Sequence, residues 1–141
     1  MARNLIEALV EWADADPTVN ALFPGGTWNT AAPTGADTAL PYLTFTQGEG
    51  RIVNVIGGNR AVQFPVVVIE ARAVFAEDAR YSGQAIRDAL LAAPPLAWTG
   101  GVEAGRCEIE GEGGELEDGL GPDGSDVWVH RIPIQFTHGR G

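Results

Sequence analysis

The chain has no lysine, one cysteine, one methionine and only two histidines in 141 residues. With Cys107 alone, no internal disulfide can form, and a small secreted scaffold held by disulfides is excluded. A lone cysteine on a strand reads as a small buried hydrophobe. Two histidines, His130 and His138, fall short of the three or four ligands that a metal centre needs, and no Ser nucleophile elbow or HExxH motif is present. No apolar run approaches the ~18 residues needed to span a bilayer. The opening segment MARNLIEALVEWADADP carries Glu7 and Glu11 within its apolar stretch, which does not fit a secretory leader, so assembly in the cytoplasm is expected. All nine basic residues are arginine. This reads as codon usage, because arginine and lysine differ in kind mainly at bidentate or stacked sites.

The charge that is present is uneven. Nine of the 24 residues from Glu103 to Asp126 are acidic, and only Arg106 opposes them. This window holds about −8 of the formal −10, and the rest of the chain is nearly neutral. A glycine-rich acidic segment of this kind, CEIEGEGGELEDGLGPDGSD from Cys107, cannot bury itself. It repels nucleic acid as well. With 45% apolar and 20% charged residues the whole is globular in composition. Its length suits one domain over residues 1–141 with a real hydrophobic core.

Leu5, Ile6, Leu9, Val10 and Ala13 recur at helical spacing, which predicts an amphipathic helix over about 3–15. Asp16-Pro17 supplies a cap and a first-turn proline for a second short helical piece over 18–23. Residues 27–39 lack any period and read as a loop. Strands are expected over 40–46, over 52–55 and along 64–75, the last two joined by a turn at Gly57-Gly58-Asn59. Asp78 is the expected cap of a helix over 79–92 with Ile86 and Leu90 inward, ended by Pro94-Pro95. Further strands are expected at 96–98, 106–112 and 126–138. In the last, the inward set changes from Val127/Val129 to Ile132/Ile134/Phe136, which predicts a bulge near 131–133. Hairpins predominate and no βαβ unit is seen. The fold class is therefore α+β: an antiparallel or mixed sheet packed on one face by two main helices, with a long acidic hairpin or loop over about 100–126.

Candidate chemistry is sparse. Gly119 to Gly124 spells GxGxxG, but it holds a proline, lies among acids and precedes a strand, so it reads as a turn and not a phosphate cradle. Asp118, Asp123, Ser125 and Asp126 lack the ligand spacing of a calcium loop. Glu108, Glu110 and Glu112 alternate along one strand, a ladder of like charge suited to a wet surface, whereas glycosidic chemistry needs two acids across a cleft. His130 and His138 are expected to face solvent or an interface. Trp28, in a polar stretch, is the candidate interface aromatic. No catalytic residue, cofactor site or metal site is expected.

Taken together, the order of elements resembles the tail-terminator, or tail-completion, proteins of long-tailed bacteriophages. The features that carry the likeness are the helix Leu5–Ala13 followed by Ala15-Asp16-Pro17-Thr18-Val19, and Leu40-Pro41-Tyr42-Leu43-Thr44-Phe45. They continue with Val66–Phe75, the helix Arg80–Leu91 with Pro94-Pro95, and Val127-Trp128-Val129-His130-Arg131-Ile132-Pro133-Ile134. The resemblance spans nearly the whole chain, and the 100–126 region is longer and more acidic than its pattern.

This resemblance implies a non-enzymatic virion protein that assembles into a homo-oligomeric ring, usually a hexamer. Such a ring caps the tail tube, ends its polymerisation and joins it to a head-completion or connector protein. Genomic DNA passes through without specific binding, and no membrane is involved. Glu108, Glu110, Glu112, Glu115, Glu117 and Asp118 then become candidates for a lumen wall that DNA does not stick to, or for an outer rim kept soluble by charge. The alternatives are a head-closure or adaptor protein of the same neck, and a small ligand-binding domain or enzyme.

Overall fold

The computed structural model describes residues 2–30, 39–48, 51–54, 61–99, 101–109, 111–117 and 126–139. Helix α1 spans Leu5–Ala15 and α2 spans Pro17–Leu22. The Asn4 carboxamide accepts from the Glu7 amide at 2.9 Å to cap α1. Asp16 caps α2 by accepting from Thr18 and Val19 at 2.8 and 3.3 Å, with Pro17 in the first turn, as its sequence predicts.

The remaining elements are β1 (Thr27–Asn29), β2 (Tyr42–Gln47), β3 (Arg51–Asn54), β4 (Ala61–Phe64), β5 (Val66–Ala73), α3 (Ala76–Ala92), β6 (Ala97–Trp98), β7 (Gly101–Glu108), β8 (Gly113–Glu117) and β9 (Val127–Gly139). The fold is α+β: a mixed sheet with helices packed against it. The sheet runs β1-β2-β5-β9, with β1 parallel to β2 and the other pairs antiparallel. The far edge of β9 is shared between β7 and β8. The β3–β4 hairpin continues from β5, and its one register pair with β9 is Gln63 with His138.

Partners across an antiparallel pair share a face, so the register assigns the two sides of the sheet. Leu43, Phe45, Val67, Ile69, Ala71, Ile132, Ile134 and Phe136 line one side. They are at most 2% exposed and form the core with Leu9 and Ala13 of α1, Val19 of α2, and Ile86 and Leu90 of α3. The other side carries Tyr42, Thr44, Glu70, Arg72 and Arg131. The glutamate accepts from Thr46 Oγ1 at 2.5 Å, Arg131 Nε at 2.9 Å and an Arg72 amino group at 3.2 Å. Arg72 also donates to Thr44 Oγ1 at 2.7 Å and lies 5.7 Å from the centroid of the Tyr42 ring. One carboxylate thus ties three strands together on the face opposite the helices.

Four local expectations change. First, residues 27–29 form a strand, because the backbone of Thr27-Trp28-Asn29 runs alongside β2 in register with Leu43, Thr44 and Phe45. Second, α3 begins at Ala76, and Asp78 lies inside its first turn instead of capping it. Phe75 takes the N-cap place in an extended conformation, and its carbonyl accepts from Ala79. Glu77 and Asp78 still favour that end by facing the helix dipole.

Third, Cys107 is exposed, since it sits opposite Gln135 on an edge strand away from the core. Fourth, β9 keeps an unbroken register with β5 from Trp128 to Gln135, and the irregularity falls on its other side. There β7 ends opposite Ile134 and β8 starts opposite Arg131, with Pro133 facing the break. Proline has no amide hydrogen to give the ladder, while its carbonyl still accepts from Ile109 at 3.1 Å. The ladder on this edge is therefore interrupted between Glu108 and Gly113. Gly111 allows this with φ +123, a conformation closed to most side chains.

Candidate functional site: the acidic edge

The break opposite Pro133 brings together residues that lie far apart in sequence. Glu112, leaving the loop, accepts from His130 Nε2 of β9 at 2.6 Å, from the Gln84 amide of α3 at 3.1 Å and from Arg87 of α3 at 3.2 Å. Arg87 also lies 3.5 Å from Glu108 at the end of β7 and 3.1 Å from Asp88. One guanidinium thus gathers acids from both halves of the edge and ties them to α3.

His130 is buried, contrary to the expected solvent or interface position. Its neighbours explain how it fits. Ala71 and Gly114 flank it on the adjacent strands, and Gly83 of α3 lies over it. A Cβ at Gly83 would come within 3.0 Å of His130 Cδ2. The sequence signal for this niche is a glycine inside an otherwise alanine-rich helix, but only the register reveals its partner.

The hydrogen bond from His130 holds the Glu112 carboxyl below the usual carboxylate range. Partial burial opposes it, and Gln84 and Arg87 add to it. A depressed carboxylate contributes stability above its unfolded pKa of ~4.3 and loses it as pH falls through the lower folded value. The side chain is 26% exposed, so the amount is below about 1 kcal/mol. Glu112→Gln is therefore expected to flatten the stability profile below about pH 4.3 and to leave its shape above that point nearly unchanged. Urea unfolding at intervals between pH 3 and 7 checks this. An unaltered acid limb would show that the contact contributes nothing.

A second arginine works one turn along. Arg106 pairs with Glu103 and donates to the carbonyls of Leu90 and Pro94, the latter at 2.8 Å. The last carbonyls of a helix have no partner within it, so this guanidinium closes the C-terminal end of α3 onto β7.

The candidate acids therefore fall into three groups. Glu108 and Glu112 reach the same arginine. Glu115 and Glu117 belong to β8, in register with Val129 and Val127. Glu110 and Asp118 lie outside the described residues, as do the GxGxxG turn and most of the calcium candidates. Trp28 is half-buried on β1, and its indole donates to the Gly25 carbonyl at 2.9 Å. It belongs to the opposite end of the strand order from the acidic edge.

Among the described residues, no group of three or more His, Cys, Asp or Glu is placed to hold a metal ion. No described helix is long and apolar enough to cross a membrane. What this region offers is a charged sheet edge braced against a helix.

Comparison with known proteins settles the family. Residues 7–109 match the family described as Tail completion protein gp17. The chain belongs to this family. Members are structural components of phage tails, and the match runs from α1 through β7 to the start of the acidic loop. A search of curated proteins finds no match. Among solved structures, a chain of the "Virion of native gene transfer agent (GTA) particle" shares the fold, with a TM-score of 0.63 and 18% identity over 92% of each chain.

Proposed function

We propose that the whole chain, 1–141, acts as one tail-terminator unit: copies close into a ring that caps the tail tube, ends its polymerisation and receives a head-completion or connector protein. Six is the copy number that the tail-terminator resemblance implies. The observation that carries this reading is the tail-completion family match over residues 7–109. The likeness to a chain of a gene transfer agent virion over 92% of the sequence agrees with it. The protein then works in the neck of the particle, after assembly in the host cytoplasm, and makes or breaks no covalent bond.

The physical form suits such a role. The edge strands β1 and β8 have no second strand neighbour in the described sheet, and open edges are sites where another chain can add. The acidic window cannot hold a duplex by charge. Bordering the lumen, it would let DNA slide past without adhering; on the outer rim, its charge would keep the ring soluble.

Tail tubes assembled without the protein are expected to overrun their normal length, and adding it should arrest growth and leave ends able to join heads. Tube lengths measured by electron microscopy check this. Tubes that grow identically with and without the protein would contradict the reading.

A further inference from the structure

Two strand edges, β1 and β8, stand at opposite ends of the sheet order β1-β2-β5-β9-β8. The hydrogen bonds of β9 fix which backbone groups of β8 face outward. The Pro133 carbonyl accepts from Ile109 on the β7 and β8 side, and the Phe136 amide donates to Pro65 on the β5 side. Odd-numbered residues of β9 therefore bond towards β8. Gly113, Glu115 and Glu117, in register with Arg131, Val129 and Val127, direct their backbone groups to β9. Gly114 and Leu116 direct theirs away from it.

At the other end, the Gly26 carbonyl accepts from the Leu43 amide at 3.0 Å, and the Thr30 amide donates to the Phe45 carbonyl at 2.9 Å. Residues 26, 28 and 30 thus bond towards β2, and Thr27 and Asn29 direct their backbone groups outward. Each edge presents two outward residues, two positions apart. Among the described residues, neither β1 nor β8 has a second strand neighbour. Thr27 is buried on the helix side, while Asn29, Gly114 and Leu116 are exposed.

Two features of β8 point to a strand beside it. Gly113 and Gly114 are adjacent glycines within a strand, which weakens it. A Cβ at Gly113 would meet nothing within 4 Å, and one at Gly114 nothing closer than 3.5 Å, so crowding inside the chain does not demand them. Bare backbone at an edge lets another chain approach closely. Leu116 is 47% exposed although its register partner Trp128 faces α3, which leaves an apolar side chain uncovered at the edge.

We propose that β8 of one copy pairs antiparallel with β1 of the next, with Leu116 opposite Thr27 and Gly114 opposite Asn29. This rests on the ring reading above and names the edges that close the ring. Strand direction agrees: β8 opposes β9, β9 opposes β5, β5 opposes β2, and β1 runs with β2, so β8 and β1 run in opposite senses. The faces agree as well. Leu116 lies on the side of Trp128 and Thr27 on the side of Leu43, and both are the helix side. Helix α1 packs on β1 and β2, and α3 on β5, β8 and β9. Successive copies therefore keep their helices in one layer, and α1 of the next copy comes beside the uncovered Leu116. Two different edges meet, so the contact is head to tail and closes by rotation.

Amide exchange of the unaltered full-length protein, free and in complexes released from tail tubes, tests the pairing. The segments 27–29 and 113–117 are each expected to exchange more slowly on assembly, by about tenfold or more. Unchanged exchange in either segment would overturn the assignment. Leu116→Pro and Asn29→Pro each remove one outward donor and leave the bonds to β9 and β2 in place, because proline is tolerated on an open edge. Both are expected to keep the parent's urea midpoint and to lose ring formation in the presence of tubes. Rings formed by either folded variant would overturn the assignment, and the exchange result decides if a variant does not fold. Failure of the ring reading is distinguishable, because the unaltered protein would then neither self-associate nor bind tubes.

Discussion

Glu70→Ala is expected to lower the unfolding free energy by about 3–5 kcal/mol, the usual cost of removing one member of a buried ion pair. The Glu70 and Arg72 side chains are only 9% and 10% exposed, so the arginine left behind has little water to turn to. The same carboxylate also receives Thr46 and Arg131, so its loss loosens β2, β5 and β9 together. Glu70→Gln keeps an oxygen for the Thr46 hydroxyl and is expected to cost less. Urea unfolding of the three proteins at neutral pH checks the order, and equal slopes would show that only stability has changed. Near-equal midpoints for all three would mean that the network contributes no net stability.

Phe45→Ala is expected to cost a similar 3–5 kcal/mol for a different reason. Phe45 is 0% exposed on β2, facing the helices beside Ile69. Removing the ring takes away its transfer energy and leaves a cavity that the sheet cannot close. Val74→Ala, at a site 56% exposed, is the matched control and should stay within about 0.5 kcal/mol of the parent. A small Phe45 effect would show a core able to collapse around the gap.

Much of this architecture was legible in the chain because it rests on local signals. The three- and four-residue recurrence of Leu5, Leu9 and Ala13 gives α1, and Asp16-Pro17 gives the start of α2. The alternation of Val67, Ile69 and Ala71 gives β5 and its inward face. The expectations that changed depend on pairing between distant segments. Nothing in Thr27-Trp28-Asn29 announces a strand until β2 lies beside it. The sequence suggests a change of inward set along β9. The register instead keeps Trp128 and His130 on the side of Ile132 and Ile134, while Val127 and Val129 are buried on the opposite side. With β5 in place on one side, the disturbance moves to the other, where Pro133 has no amide hydrogen to donate.

The acidic edge was legible as composition but not as geometry. A ladder of glutamates looks like free surface charge. In the fold, Glu108 and Glu112 are drawn to Arg87, and His130 is buried against one of them. Helix α3 lies some twenty residues before these acids, a separation that no local pattern bridges. The family match ends near the same place, at residue 109.

The most direct measurement is electron microscopy of purified tail tubes incubated with the protein, combined with the mass of the complex released from their ends. The account predicts a closed ring of several copies at one end of each tube and none along its length. A single copy at tube ends, decoration along the shaft, or no association at all would contradict it.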